Sequence, residues 1–108
     1  MFYRAQANAN VYRAIADPTR RAILDRLRRG PAPVNKLAAD FSQSRPAISK
    51  HLRVLREANI VLEDRAGRER VYRIEPAALR EVADWIETYR AFWQTSLTGL
   101  KRHLEEQS

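Results

Sequence analysis

Apolar residues recur at three- and four-residue steps in the first half of the chain, which is the spacing of one helix face. This pattern predicts helices over about Tyr3 to Ile15, from Pro18 to just before Gly30, over about Val34 to Phe41, and from a cap at Ser44 to about Ala58. No internal repeat or linker interrupts the chain. We therefore expect one run of short elements followed by a single long one.

Local residues mark where these helices begin and end. Asp17 and Ser44 are good N-caps, because their side-chain oxygens can accept hydrogen bonds from the free N–H groups of the first turn. Pro18 and Pro46 follow them at positions where a helix tolerates proline. Asn59 comes directly after the fourth helix, and asparagine tolerates the positive φ that commonly closes a helix.

Two β-prone stretches follow, Ile60 to Arg65 and Glu69 to Ile74, joined by three residues around Gly67. This spacing predicts a β-hairpin. Beyond Pro76 the pattern is helical again to about Glu106, which at 1.5 Å per residue would make a helix of roughly 45 Å. That length exceeds what a small domain needs.

The order helix, helix, short turn, helix and hairpin is that of a winged helix-turn-helix, in which the second helix of the pair enters the major groove of DNA. On a helical wheel, Ile48, Leu52 and Leu55 of the fourth helix fall in one arc, and its cationic residues fall in another. The fold class is therefore predicted as mainly α with a β-hairpin wing. We expect a single domain over 1–108, with a DNA-binding core at 17–75 and dimerisation helices at 1–16 and 77–106.

The cationic arc of the fourth helix predicts a DNA interface. It carries one acid, Glu57, whereas a solvated face normally mixes charges of both signs. Arginine can bond guanine in a bidentate manner, and the first half of a recognition helix reaches deepest into the groove. The predicted DNA contacts are Gln43, Ser44, Arg45, Ser49, Lys50, Arg53 and Arg56, with Arg65, Arg68 and Arg70 at the hairpin tip. An ordinary solvated helix face and a solvated turn are the alternatives.

Large apolar side chains form a stripe along the last helix that is too broad for a core of this size to cover. We expect the surplus to pack against a second copy around a two-fold axis, because aromatic anchors are typical of interface centres. The predicted dimer contacts are Phe2, Tyr3, Val11, Trp85, Tyr89, Phe92, Trp93, Leu97, Leu100 and Leu104. A helix folded back on its own domain and an aromatic ligand pocket are the alternatives.

Two polar residues are interpreted as structural. Arg20 lies on the same side as the buried stripe of the second helix, so we expect it to be partly buried and paired with a carboxylate. His51 falls at the edge of the buried arc of the fourth helix and is predicted to be packed and hydrogen-bonded.

Composition and charge agree with a nucleic-acid partner. The 108 residues carry 20 Lys and Arg against 13 Asp and Glu, for a net charge of +7. Residues 20–73 hold 14 of the basic and 6 of the acidic side chains, a local net charge of +8. A localised positive field attracts polyanions, and arginine suits phosphates. The absence of cysteine excludes disulfides and thiolate metal sites and fits a cytoplasmic setting, and no stretch favours membrane insertion or export.

Several of these residues together resemble a known family. The stretches Asp17 to Leu24 and Ser44 to Val61, with the Gly67 hairpin and Tyr72, are similar in order and spacing to ArsR/SmtB-type transcriptional regulators over about residues 8–90. The segment Ser-x-His-Leu-x-x-Leu-x-x-Ala, which begins at Ser49, is quite specific. The resemblance implies a homodimeric winged helix-turn-helix repressor of an inverted-repeat operator, often released by an inducer.

The chain departs from that family at its metal sites. Metal-sensing members carry a cysteine pair where this chain has Pro33 and Asn35, and the last helix offers only His103 with scattered acids such as Asp84 and Glu87. Because zinc and thiophilic metals need a closed set of S or N ligands, we expect no metal and no cofactor. The sequence identifies neither an inducer nor an operator.

Other function classes are weaker. An architectural nucleic-acid-binding protein without sequence preference, or a winged-helix protein-interaction module that has lost DNA binding, would share the fold. An enzyme is disfavoured, since the chain shows no paired carboxylates on an apolar face, no glycine-rich phosphate loop and no catalytic triad.

Overall fold

A computed structural model describes residues 10–107. Its helices are α1, whose described part is 10–15, then α2 Pro18–Arg28, α3 Val34–Asp40, α4 Arg45–Glu57 and α5 Arg80–Gln107, the last preceded by a 3-10 turn at Pro76–Leu79. Its strands are β1 Ala32–Pro33, β2 Val61–Ala66 and β3 Glu69–Ile74. The architecture confirms the predicted winged helix-turn-helix, a mainly helical fold with a β2–β3 hairpin as its wing.

The predicted ends of the helices are confirmed. The Asp17 carboxylate accepts from the backbone N–H of Arg20 at 3.0 Å, and the Ser44 hydroxyl accepts from that of Ala47 at 3.3 Å. Asn59 has φ 61° and turns the chain from α4 into β2. These bonds satisfy first-turn N–H groups that would otherwise lack a partner inside the helix.

The sheet has one strand more than the sequence predicted. Ala32 pairs with Tyr72 and Pro33 with Val71, so the strand order is β1-β3-β2. A two-residue strand that follows one proline and contains another shows no alternation that could reveal it. The wing also turns more tightly than predicted, because β2 continues to Ala66 and only two residues remain in the turn, the first being a glycine at φ 66°.

The hydrophobic core lies between α1–α4 and the sheet. Its fully buried large side chains are Ile23, Leu37, Ile48, Leu52, Leu55, Ile60 and Val61. Because α4 contributes three of them, its orientation is set by the core, and its opposite face must point outward.

Helix α5 leaves this core almost at once. None of its residues is buried, so the helix does not fold back on its own domain. Between 38 and 66% of the surface is exposed for each of its large apolar side chains Trp85, Ile86, Tyr89, Phe92, Trp93, Leu97, Leu100 and Leu104. We call these eight residues the apolar stripe.

The two helices assigned to dimerisation touch each other. The rings of Tyr12 in α1 and Trp85 in α5 meet edge to face with centroids 5.9 Å apart. Val11 is half-buried against the core, whereas Phe2 and Tyr3 lie outside the described residues. No helix within residues 10–107 is both long and apolar enough to cross a bilayer.

Candidate nucleic-acid interface

The two faces predicted for α4 are present. Its inner side chains Ile48, Leu52 and Leu55 are at most 1% exposed, and the outer face is open. The exposed polar residues of that outer face are one acid, Glu57, and the five residues that we call the cationic face, namely Arg45, Ser49, Lys50, Arg53 and Arg56. Ser44 is exposed too, with its hydroxyl oxygen accepting the cap bond. The helix therefore presents four cations and a hydroxyl on a surface that the core holds rigidly.

The wing tip carries the other predicted cations. Arg65 and Arg70 are cross-strand partners, and Arg68 lies in the turn between them; all three are exposed. Like charges directly opposite each other disfavour a hairpin. This arrangement is therefore not explained by the stability of the wing.

A cleft of about 300 Å³ joins the cationic face to the wing. One wall is the start of α4 with Arg45 and Ser49, and the other is the wing with Arg68 and Arg70. The remaining lining residues are Pro33, Val34, Asn35, Glu69 and Tyr72. The sequence predicts neither Asn35 of α3 nor Tyr72 of β3 at this interface, because only the folded structure brings them beside Arg45 and Ser49 of α4.

Glu63 in β2 links the cationic face to the wing. Its carboxylate forms an ion pair with Arg56 of α4, and its other oxygen lies 3.5 Å from Nε of Arg70. Burial raises the pKa of the Tyr72 phenol, and the charge of Glu63 beside it adds to the shift. Two of the predicted DNA contacts thus hold a carboxylate in the free protein.

The other cations of the interface carry no such partner. Within residues 10–107, no ion pair or side-chain hydrogen bond engages Arg45, Lys50, Arg53, Arg65 or Arg68. Elsewhere in the protein, arginines are neutralised, as Arg26 of α2 is by Asp40 of α3 at 3.1 Å.

Gln43 and His51 form a hydrogen-bonded group beneath the first turn of α4. The Gln43 amide donates to Thr19 Oγ1 at 2.8 Å, and its oxygen lies 3.2 Å from His51 Nε2. Because Arg20 can only donate, its contact of 3.4 Å with His51 Nδ1 favours the tautomer of neutral His51 that carries its proton on Nε2. His51 is therefore packed and hydrogen-bonded, as predicted. The predicted DNA contact Gln43 has a side chain that already bonds both Thr19 and His51 in the free protein.

Arg20 is structural, but its predicted pairing with a carboxylate is wrong. Its guanidinium donates to the backbone carbonyls of Ala14 at 2.7 Å and Arg13 at 3.1 Å, where α1 ends. The nearby carboxylate of Asp17 accepts from the backbone of Arg20 instead. Carbonyls at the end of a helix lack partners within it, and a long cationic side chain satisfies them well.

The cap at Asp17 makes stability depend on pH. The backbone hydrogen bond from Arg20 lowers the pKa of Asp17, and the charges of Arg20 and His51 act in the same direction. A carboxyl whose pKa is lower in the folded state stabilises the fold above its unfolded pKa and loses that contribution as the pH falls toward the folded value.

We therefore expect a fall in pH to lower the free energy of unfolding of the native protein more than that of the Asp17→Asn variant. The asparagine side chain is neutral, so it keeps the cap but cannot titrate. Urea unfolding midpoints measured between about pH 6 and pH 3 test this. The two midpoints should converge as the pH falls, and parallel curves would contradict the assignment.

Together, the core-anchored α4, the wing and the cleft between them define the chain as a winged helix-turn-helix protein. Within residues 10–107, no three histidine or acidic side chains are placed to hold a metal ion.

Comparison with known proteins gives the family. A model described as "Bacterial regulatory protein, arsR family" matches residues 17–62, from the α2 cap to the start of the wing. The chain is 40% identical over 97% of its length, and 94% of the other's, to the HTH-type transcriptional regulator Rv2034 of Mycobacterium tuberculosis. It is 38% identical over 71% of its length, and 86% of the other's, to the transcriptional repressor SdpR of Bacillus subtilis.

A solved structure agrees with these sequence matches. An ArsR-like transcriptional regulator from Rhodococcus sp. RHA1 superimposes with a TM-score of 0.71 at 35% identity, covering 91% of this chain and 92% of that one. The chain belongs to the ArsR family of transcriptional regulators, and like its relatives it is a regulator and not an enzyme.

Proposed function

We propose that this chain is a homodimeric repressor that binds an inverted-repeat operator in double-stranded DNA and does not respond to metals. The observation that carries the proposal is the cationic face of α4, exposed beside an arginine-tipped wing while the opposite side of the same helix is buried in the core. The α4 helix would enter the major groove, and the wing would contact the adjacent backbone.

The contacts divide by their chemistry. Ser49, in the first half of α4, and Arg53, one turn further along the same face, would bond base edges, because the N-terminal part of a recognition helix reaches deepest into the groove. Arg68 and Arg70 line the cleft with Arg45, where three cations suit a phosphate of the backbone. The remaining residues of the proposed interface are Gln43, Ser44, Lys50, Arg56 and Arg65.

The apolar stripe supports a homodimer. Eight large apolar side chains on one 28-residue helix form a surface that a soluble protein rarely leaves in water. We assign residues 77–106 and 1–16 to dimerisation and residues 17–75 to DNA binding. A two-fold axis would place two α4 helices in successive major grooves, about 34–36 Å apart, so the operator should be a palindrome.

Repression and the lack of metal response rest on other observations. The relative SdpR is named a transcriptional repressor, and bound protein that blocks polymerase is the simplest consequence of operator binding. The chain has no cysteine and only two histidines, too few S or N ligands for the closed sets that zinc and thiophilic metals require.

Selection of binding sites from random duplex DNA tests the proposal. We expect a palindromic motif whose affinity exceeds that for unrelated duplex by about 10³-fold or more at physiological salt. Affinity should also fall steeply with salt, because arginines that neutralise phosphates release counterions. Enrichment of no motif would favour an architectural protein, and absence of DNA binding would favour a protein-interaction module.

The position of Glu63 makes a further prediction about affinity. Its carboxylate holds Arg56 and Arg70, so DNA phosphates must compete with it for both cations. We expect Glu63→Gln to tighten binding to any duplex by about two- to fivefold, the scale of an exposed ion pair.

Fluorescence anisotropy at low salt measures this effect. Glu87→Gln is the matched control, since it removes an equal charge from an exposed pair with Arg90 on α5. Weaker binding by Glu63→Gln would mean that the carboxylate positions these arginines instead of competing for them.

A further inference from the structure

A second cleft, of about 540 Å³, lies at the end of the sheet opposite the wing tip. It forms where the end of α2, the last residue of β3 and the start of α5 meet, so it is separate from the proposed DNA interface. Its volume falls within the range of small-molecule binding sites. Neither the family match nor the proposed function assigns it a role.

The walls of this cleft are apolar and belong to the folded core. Leu27 is 4% exposed, and Ile74 and Leu79 are half-buried against the same core. Pro76, whose ring fixes its φ, completes this side. Because packing already holds these side chains, the cleft is formed before any ligand arrives.

Two arginines, Arg28 and Arg80, lie beside the apolar walls of this cleft. Arg28 and Arg80 are exposed, and neither has an ion-pair partner within residues 10–107, whereas Arg26 in the same helix as Arg28 is paired with Asp40. Arg28 lies in the last turn of α2, where the helix dipole favours a cation. Arg80 is the first residue of α5, where the dipole disfavours one, so helix stability does not account for it.

We propose that this cleft binds a small amphipathic carboxylate as an effector. Its hydrocarbon part would lie against Leu27, Ile74 and Leu79, and its carboxylate would meet Arg28 and Arg80. A ligand with both features matches the apolar walls and the unpaired charge together, whereas a neutral or cationic amphipath leaves one of them unsatisfied.

The place of the cleft explains how such a ligand would act. Ala78 and Leu79, in the 3-10 turn that leads into α5, pack on the core. A molecule lodged between α2 and α5 at this joint would change the angle at which α5 leaves the domain. This step rests on the proposed function, because α5 would then alter the spacing of the two α4 helices in a dimer.

Isothermal titration calorimetry of the full chain with decanoate tests the binding. We expect saturable binding of decanoate and much weaker binding of decanol, which has the same chain without the charge. Arg28→Gln with Arg80→Gln should weaken decanoate binding by about tenfold or more, as loss of bonds to a charged group does. Arg102→Gln, on the distant part of α5, is the matched control and should bind as the native protein does.

Three outcomes would overturn the site: no saturable binding, as would follow if a second copy covered the cleft; equal binding of decanol; or full binding by the double variant. Ala83→Phe, which places a ring in the cleft, should abolish binding and excludes adsorption to the apolar stripe.

The effector role has its own readout. Saturating decanoate should change affinity for the selected operator by at least about fivefold. Decanoate binding with unchanged operator affinity would overturn the effector role. Failure of the ligand-free protein to bind any operator would instead overturn the proposed function.

Discussion

Replacing Trp93 and Leu97 with glutamate should convert the protein to a monomer and weaken operator binding by about 100-fold or more. Both side chains belong to the apolar stripe and are 48% and 65% exposed in the single chain. Two charges placed at the centre of a dimer interface would lose their hydration there. Without the dimer, each half-site is bound alone, and the gain from linking two binding events is lost.

Light scattering on a sizing column and anisotropy with the operator measure the two effects. The matched control is Gln94→Glu with Thr98→Glu, which adds the same charges at neighbouring exposed polar positions of α5. Circular dichroism should show helix α5 retained in both variants. If the variant with Trp93→Glu and Leu97→Glu remained a dimer, the assignment of the apolar stripe to the dimer interface would be wrong.

The second large effect should come from Arg53→Ala combined with Ser49→Ala. Within residues 10–107, neither side chain makes an ion pair or a side-chain hydrogen bond, and both are exposed on the cationic face. Loss of one bidentate base contact costs about 1–3 kcal/mol of discrimination. We therefore expect operator affinity to fall by about tenfold to 100-fold, with a smaller loss on unrelated duplex.

Fluorescence anisotropy with the operator and with the unrelated duplex, at the same salt concentration, gives the ratio of the two affinities. Arg102→Ala removes one positive charge far along α5 and should leave that ratio unchanged. An equal loss on both duplexes would place Arg53 on phosphate instead of on a base edge. Unfolding midpoints should be unchanged, because exposed side chains away from caps and cores contribute little to stability.

The sequence predicted the helices well because their signals are local. The Asp17 and Ser44 caps and the positive φ at Asn59 involve residues within three or four positions of each other. The division of α4 into two faces follows from its own period. These features placed the proposed contacts on α4 and the wing before any tertiary contact was known.

Two of the errors involve backbone groups that belong to another element. Strand β1 forms only because β3, nearly 40 positions away, offers an edge to Ala32. The partner of Arg20 was wrong because the open carbonyls at the end of α1 were invisible in the pattern of charges. No periodicity reports which backbone groups the end of the preceding helix leaves unsatisfied.

What the sequence determined by itself is therefore the set of helices with the β2–β3 hairpin, the outward cationic face of α4 and the apolar stripe of α5, because each depends on the spacing of neighbouring residues. Only the tertiary structure decided that Glu63 holds Arg56 and Arg70, that Gln43 bonds Thr19 and His51, and that two clefts form at opposite ends of the sheet. Each of these joins residues from different elements. Their meeting depends on how the core packs, and a linear pattern does not encode that.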